Sequence, residues 1–504
     1  MNGAEIKAKL KEAKDLMKKE GETLKDTHQH LPQLSWMLFL KCFDDLEKTN
    51  SLRTRGYEEI LPEELRWRTW ATDKKITGKL LLKQVNELFE KFESLEPEKG
   101  KEMRNIFSTI FRKMPNRISD GYRFREILNI VNEISFSTKD DLNNFAQVYK
   151  DELFEMVSSS DNPYYYTPRA VAKFIVTAVN PDFTKGDRVF DPASGFGGFM
   201  IESLQHMEKL EDSAESRKQL RYETIHANEK DVDTFVCGIL NMMANGIWSP
   251  NYSLVNSLSK HTRDFSDDDM YEVIVTNPTH GGDEDKSVAG NVHTEYQTTD
   301  TTILFLHRIT KQLKDDGRAS MIVPNGLLFD EKGVGRQIKE DLIKNFNLHT
   351  IVRLAGTTFS PLSDVDMNVL FFDKTDSTSE IHYYQMSVPE RVRGKGKNPK
   401  YAKTKPPEFE DYAEVLEWMK DKKDNDNSWT VKVDDIKEYN LDLKNPNDVE
   451  ETIDLSPHEL IQQIILDEKK TLDLLKDVEK LIEKEIPQDD EEENEKDENK
   501  EEED

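Results

Sequence analysis

The chain has 504 residues, of which 34% are charged, and 70 basic against 99 acidic side chains give a formal net charge of −29. That length allows two or three domains, and that charge argues against a protein that grips nucleic acid unaided. Cys42 and Cys237 lie far apart without ligand-like spacing, which excludes a disulfide framework and a zinc site and fits a reducing cytoplasm. The start of the chain alternates Lys and Glu without a secretory apolar core, and no run approaches 18 apolar residues, so no membrane span is expected.

Residues 1-150 read as an N-terminal helical domain. Leu31, Leu34, Trp36, Leu38, Phe39 and Leu40 form a broad apolar block, and Ile106, Ile110 and Phe111 mark a further helix. Tyr164-Tyr-Tyr-Thr-Pro-Arg169 then precedes a helix over 170–179, with Thr167 as the expected N-cap and Pro168 at the first helical position. From about 165 to 390 strands alternate with helices, the pattern of a parallel sheet with crossover helices. Strands are expected at 188–190, 224–227, 252–255, 272–276, 319–323, 350–354 and 369–372, with the chemistry in the loops beyond their carboxyl ends.

Three of those loops carry distinctive residues. Val189-Phe-Asp-Pro-Ala-Ser-Gly-Phe-Gly-Gly-Phe199 runs from a buried strand ending in Asp191 through a glycine-rich turn into a helical pattern. Its glycines let the backbone approach a ligand, and the helix N-terminus offers N–H groups to a carboxylate. The second strand ends in Asn228-Glu229, and a carboxylate there suits both ribose hydroxyls of a nucleoside cofactor, although a lone Glu also serves as a helix-dipole partner. The fourth strand leads into Asn277-Pro-Thr-His-Gly-Gly282. An Asn at a strand end before Pro exposes a side-chain and a backbone carbonyl that together accept both hydrogens of an amino group on an aromatic base; Asn-Pro is also an ordinary turn dipeptide.

Beyond the sheet, Arg391, Arg393, Lys395, Lys397, Lys400, Lys403 and Lys405 make a basic loop, either a solvated linker or a phosphate-contacting segment. Residues 411-484 read as a C-terminal helical region for subunit contact, with Ser456 as N-cap before Pro457. Within it, Ile461, Ile464, Ile465, Leu472, Leu475, Val478 and Ile482 form an apolar stripe suited to docking against another helix. Residues 485-504 carry 13 acidic and 2 basic side chains and read as a disordered acidic tail.

Many short elements in one order resemble the modification subunits of type I restriction–modification systems, which are S-adenosylmethionine-dependent DNA adenine-N6 methyltransferases. The resemblance spans Leu34-Ser-Trp-Met-Leu-Phe-Leu-Lys41, the Tyr-Thr-Pro-Arg element, the glycine loop after Asp191 and Asn228-Glu229. Downstream it includes Asn241-Met-Met-Ala-Asn-Gly-Ile247, Asn256-Ser-Leu258, Val323-Pro-Asn-Gly-Leu-Leu-Phe329, Gly356-Thr-Thr-Phe-Ser-Pro361, Asn368-Val-Leu-Phe-Phe372 and Tyr401-Ala-Lys-Thr-Lys-Pro406. It implies an α/β, Rossmann-like S-adenosylmethionine-dependent methyltransferase sheet over 151-410, flanked by the N-terminal helical domain and the C-terminal helical extension.

The resemblance also implies roles. Tyr164, Tyr165, Tyr166, Thr167, Pro168 and Arg169 would line the cofactor site, with Phe196, Gly197 and Gly198 against the cofactor, Asp191 at its amino-acid end and Glu229 on its ribose. Asn277 and the carbonyl of Pro278 would bind the amino group of a flipped adenine, and His280 would stack on the base. The family motif is normally Asn-Pro-Pro followed by Phe or Tyr, whereas this chain has Thr279 and His280; threonine is expected to leave the turn looser and histidine to stack on a smaller ring. No metal is implied. A specificity subunit would read double-stranded DNA and hold two copies of this chain. A restriction/translocase subunit would supply the ATPase, since the sequence contains no G-x-x-x-x-G-K-[ST] loop. An alternative reading is a catalytically weakened member acting as a DNA-clamping and assembly scaffold. A small-molecule or protein methyltransferase would share the glycine loop but not the elements on either side of the sheet.

Overall fold

The computed structural model describes residues 1–158, 166–209, 213, 216, 219–291, 296–363, 365–392, 400–448 and, within 461–476, all but four positions. Tyr164 and Tyr165, Arg393 to Lys397, Ser456, and the tail 485–504 lie outside the described residues, as do Ile464, Val478 and Ile482 of the apolar stripe. Met1–Asn447 forms one compact unit and Asp448–Asp504 another.

The first part is helical, as its periodicity predicts: α1 (Gly3–Met17), α2 (His30–Arg53), α3 (Gly78–Glu93), α4 (Met103–Lys113), α5 (Gly121–Asn132) and α6 (Lys139–Val157). Local chemistry starts several of these helices. Asn2 with Glu5 and Thr138 with Asp141 form capping boxes on α1 and α6, and Asp120 accepts from the N–H groups of Tyr122 and Arg123 at the start of α5, so donors at these N-termini are satisfied. From His30 to Glu47 every residue of α2 except Asp45 is buried, which explains an apolar block too broad for one face of a surface helix.

Among the described residues nine strands form one sheet in the order β3-β2-β1-β4-β5-β7-β6-β8-β9. They are β1 (Val189–Asp191), β2 (Ile225–Glu229), β3 (Asn251–Leu254), β4 (Tyr271–Thr276), β5 (Leu313–Pro324), β6 (Asn347–Arg353), β7 (Met367–Asp373), β8 (Glu380–Gln385) and β9 (Ser428–Lys432). The first seven are those expected from sequence. The sheet is mixed rather than purely parallel: β7 runs antiparallel to both β5 and β6, and β9 antiparallel to β8. Strands β8 and β9 were missed; β9 lies beyond residue 410, in the stretch read as helical, so the sheet extends to Lys432.

Side-chain alternation builds two cores. Val273, Val275, Val369 and Phe371 face α7 (Arg169–Val179), α8 (Gly198–Met207), α9 (Val232–Ala244) and the N-terminal helices. Ile274, Leu370 and Phe372 face α10 (Thr301–Gln312) and α11 (Gly333–Asn345) on the other side, as the two-residue period of a strand requires. The N-terminal helices are fastened to α9: Arg117 makes a two-pronged ion pair with Asp233 at 3.1 and 3.0 Å, and Ser35 Oγ lies 2.5 Å from Tyr149 Oη and 3.5 Å from Cys237 Sγ. Strand β1 has β2 on one side and β4 on the other, so the order reverses between β1 and β4. Loops at that switch point open a crevice beyond the carboxyl ends of the strands.

Candidate active site

The loops after β1 and β4 meet in that crevice. A cavity of about 390 Å³ is lined on one side by Ser194, Gly195, Phe196, Gly198 and Glu229 and on the other by Thr167 and Asn277, with Tyr166 and Arg169 also in its wall. The glycine-loop residues and the Asn-Pro turn, 80 positions apart in sequence, therefore share one space.

The β1 loop is held by polar contacts that sequence reading did not find. Ser194 N–H donates to the Asn228 carbonyl at 2.9 Å, Asn241 Nδ2 to the Phe196 carbonyl at 2.8 Å, and the Tyr252 hydroxyl to the Gly195 carbonyl. Gly195 and Gly197 adopt φ of 56° and 78°, the left-handed region in which a side chain is strained. At Gly197 a Cβ would also stand 2.8 Å from the Met242 methyl. Gly197 is thus a packing position, and Gly198, where a Cβ would meet nothing within 4 Å, is the one that leaves room at the cavity.

Asp191 lies beneath the loop, 1% exposed. Its Oδ1 accepts from Thr276 Oγ1 at 2.7 Å and from the Ala193 N–H at 3.1 Å, while Oδ2 is buried with no hydrogen-bond partner. Burial pushes this carboxyl up to about 7, with the Glu229 charge adding to the rise. An unsatisfied buried acceptor is costly and invites a donor. Glu229 accepts from the backbone N–H groups of Gly195, Lys230 and Asp231 at 3.0, 2.7 and 2.8 Å; burial raises it too, and those hydrogen bonds act the other way. Arg169 does not reach either carboxylate, because Glu202 holds it at 2.9 and 2.7 Å.

Thr167 is not the N-cap it was expected to be. The helix starts at Arg169 with Pro168 in the capping position and no side-chain cap. The Thr167 hydroxyl instead accepts from Asn277 Nδ2 at 3.0 Å. On the other side of the same amide, His280 Nε2 donates to Asn277 Oδ1 at 2.8 Å. Burial lowers His280 to about 4, so at neutral pH the ring is uncharged with its one N–H on Nε2. The ring addresses Asn277; neither it nor the buried Pro278 is part of the cavity wall. The turn is also firmer than Thr279 alone would make it: Thr301 Oγ1 donates to the Thr279 carbonyl at 2.8 Å and lies 3.1 Å from the Gly282 carbonyl, to which the Thr301 N–H also donates. Thr301 opens α10, 22 residues downstream, and no local signal marks it.

Chemically, the cavity offers a carboxylate, Glu229, at its rim and an amide fixed at both ends, with the buried Asp191 and its unpartnered Oδ2 directly beneath the Pro192 and Ala193 wall. It suits a ligand with a cationic and a hydroxylated end beside an aromatic amine. Among the described residues no group of three or more His, Cys, Asp or Glu is arranged to hold a metal ion, and no described helix is long and apolar enough to cross a membrane.

Comparison with known proteins agrees with this geometry. Residues 141–454 match the N-6 DNA methylase family and residues 6–131 the HsdM N-terminal domain. The chain is 35% identical to the EcoEI type I restriction enzyme methylase subunit of Escherichia coli over 472 residues, 91% of this chain and 94% of that one. Its fold superposes with a TM-score of 0.79 on a modification subunit from Vibrio vulnificus YJ016, at 34% identity and covering 89% of this chain and 98% of the other. A second solved chain, from work on complex assembly and conformational transition of the type I restriction–modification system, gives a TM-score of 0.74 at 30% identity, with 95% and 98% covered.

Proposed function

The chain belongs to the methylase subunits of type I restriction enzymes, within the N-6 DNA methylase family, and we propose that its cavity transfers a methyl group from S-adenosylmethionine to the N6 amino group of an adenine everted from double-stranded DNA. The observation that carries this reading is the single cavity shared by Glu229, the glycine loop over Asp191, and Asn277.

The residues present fit the cofactor. The unpartnered Oδ2 of Asp191, buried under the cavity wall at Pro192 and Ala193, suits the cationic amino-acid end, Glu229 the ribose hydroxyls, and Gly198 leaves the space a side chain would fill. Tyr166 and Phe196, ring centroids 6.3 Å apart, supply apolar wall. Tyr164, Tyr165, Thr167, Pro168 and Arg169 complete the expected segment, with Arg169 acting through Glu202 and Thr167 through Asn277. When bound, S-adenosylmethionine supplies a methyl group on a sulfonium whose departure leaves a neutral thioether.

The protein's own task is positioning. Asn277 Oδ1 and the Pro278 carbonyl accept the two N–H bonds of the adenine amino group, which draws its lone pair out of conjugation with the ring and stabilises the charge that develops on nitrogen. An alkylated aromatic ammonium is strongly acidic and loses its proton to water, so Asn277 needs no basicity. Eversion is required because stacking shields the amino group in the duplex, and fixed approach replaces random collision. His280 acts on the Asn277 carbonyl rather than as the stacking ring.

Membership of a type I system supports partners of three kinds: a specificity subunit that reads the DNA and holds two copies of this chain, a restriction/translocase subunit, and the DNA itself. In the second unit Ile461, Ile465, Leu466, Leu472 and Leu475 are exposed on helical residues, which supports the stripe from Ile461 to Ile482 as the contact with the specificity subunit. The two family models meet between residues 131 and 141, which supports the division near 150. Two free, buried cysteines accord with a cytoplasmic location. The test is coexpression with the neighbouring specificity subunit: N6-methyladenine accumulates in plasmid DNA. A complex that binds S-adenosylmethionine yet leaves the plasmid unmethylated rejects the proposal.

A further inference from the structure

A second concavity lies beside the cavity on the same helix. Lys7, Lys11 and Lys14 of α1 and Lys18 just after it line the groove, Lys403 lines it from the stretch between β8 and β9, and the end of α6 contributes Glu152, Glu155 and Met156. The spacing of four, three and four residues puts the first four lysines on one helix face. In a chain of net charge −29, five lysines from two remote stretches converge on one groove.

Three carboxylates, Asp15, Glu152 and Glu155, share the groove, and they account for part of that charge. Lys14 pairs with the buried Glu152, and Lys18 with Asp15 at 2.7 Å. Lys7, Lys11 and Lys403 are exposed and make no ion pair with a described residue. Three exposed ammonium groups therefore stand on this surface against one exposed carboxylate, Glu155, that has no ion-pair partner among the described residues, the other charges being matched.

The groove's place relative to the methyl-transfer cavity identifies its occupant. Lys150 and Leu153 of α6 face the cavity, whereas Glu152, Glu155 and Met156 of the same two turns face the groove. One helix width, about 10–12 Å, therefore separates them, which is about three steps of one strand along the axis of duplex DNA at roughly 3.4 Å each. We propose that this groove holds the sugar–phosphate backbone of the DNA strand flanking the everted adenine, with Lys7, Lys11 and Lys403 on phosphates. Lys403, one of the basic residues after Pro389, thereby acquires a role at α1. The contact is independent of base sequence and fixes register for whichever adenine the partner subunit selects.

This inference rests on the DNA methyltransferase reading, so the test runs on the complex with the specificity subunit and uses wild-type methylation as its reference. Methyl transfer to plasmid DNA is followed as kcat/KM for DNA between 50 and 200 mM NaCl. Each phosphate contact contributes about 0.9 to the slope of log affinity against log salt. Lys7→Gln/Lys11→Gln with Lys403→Gln is expected to flatten that slope by about 2.7, with kcat at saturating DNA and the calorimetric affinity for S-adenosylmethionine unchanged. Lys403→Gln alone gives about a third of the effect, and the three exposed positions keep the fold intact. Lys79→Gln/Lys83→Gln/Lys91→Gln on α3 is the control for net charge and leaves the slope as it is. An unchanged slope in the groove variant overturns the proposal, as does an equal change in the control. Loss of the specificity subunit from the groove variant, with the slope intact, assigns the lysines to a protein surface and overturns it too. An inactive wild-type complex counts instead against the methyltransferase reading.

Discussion

The Asn277 amide is gripped at both ends, and the two grips differ in kind. Thr167 fixes the nitrogen and so decides which end of the amide presents its oxygen; His280 donates to that oxygen, on a carbonyl with a second lone pair for the incoming amino group. Thr167→Val keeps the shape and removes the hydroxyl. Losing one such bond is worth about 0.5–1.5 kcal/mol, so kcat should fall roughly 2- to 13-fold with KM for S-adenosylmethionine nearly unchanged, and Thr167→Ser should restore it. Equal loss in Val and Ser variants would mean that packing, not the hydroxyl, matters. Asp191 carries a second expectation. Its carboxyl, raised from 3.8 to about 7, is largely protonated below neutrality. A group raised in the folded state contributes stability that is fully present below its unfolded value and lost as pH rises through 7. The cofactor's cationic end needs the ionised form, so the two effects oppose one another: the free protein gains stability from this group on going from pH 8 to 6, while S-adenosylmethionine affinity falls, by at most about tenfold per pH unit below 7. Calorimetry across that range checks the sign, and Asp191→Asn should remove the dependence.

At the scale of elements, most of what positions the site was legible in the sequence. Seven strands follow from apolar runs bounded by turn residues, and Asp191, Glu229 and Asn277 fall near strand ends, where local pattern is most informative. Two things were not legible. Strands β8 and β9 read HYY and SWTVK cores among many charges, and only pairing at the sheet edge gives them their state. Thr167 satisfied every local rule for an N-cap, but a tertiary partner claimed its hydroxyl, and nothing near Thr301 announces that it pins a turn 22 residues away. The same limit hides a close approach of two helix starts. At Gly121, the first residue of α5, a Cβ would lie 2.0 Å from the Gly78 carbonyl at the start of α3. Flexible side chains cannot absorb that clash, because the opposing atom is backbone. Gly121→Ala should force the two helix starts apart and cost about 3 kcal/mol or more, beyond the usual range for a surface substitution. Thermal denaturation measures it; a loss under 1 kcal/mol would mean that the helix ends yield freely.

At the scale of the whole molecule, the question is whether the helical part and the sheet fold as one body. Met1–Asn447 forms a single compact unit, and its larger core runs without a break from Ile6 of α1 through Val273 of β4 to Trp418 between β8 and β9. Polar fastenings reinforce that continuity, chiefly the Arg117–Asp233 pair between the segment preceding α5 and the start of α9. Helix α9 sits directly behind the glycine loop, since Asn241 and Met242 brace Phe196 and Gly197. A loosened junction should therefore be felt at the cofactor side of the cavity, although Arg117 does not line it. Arg117→Ala removes two charge-assisted hydrogen bonds of about 1.5–3 kcal/mol each before solvent compensation at a partly exposed guanidinium. If the helices and sheet are one cooperative body, the variant should melt in one transition, moved down by a few degrees, and should release S-adenosylmethionine along that same curve. A melt that splits, with the helical signal lost early and cofactor binding retained to the wild-type temperature, would show two folding units joined by a dispensable contact.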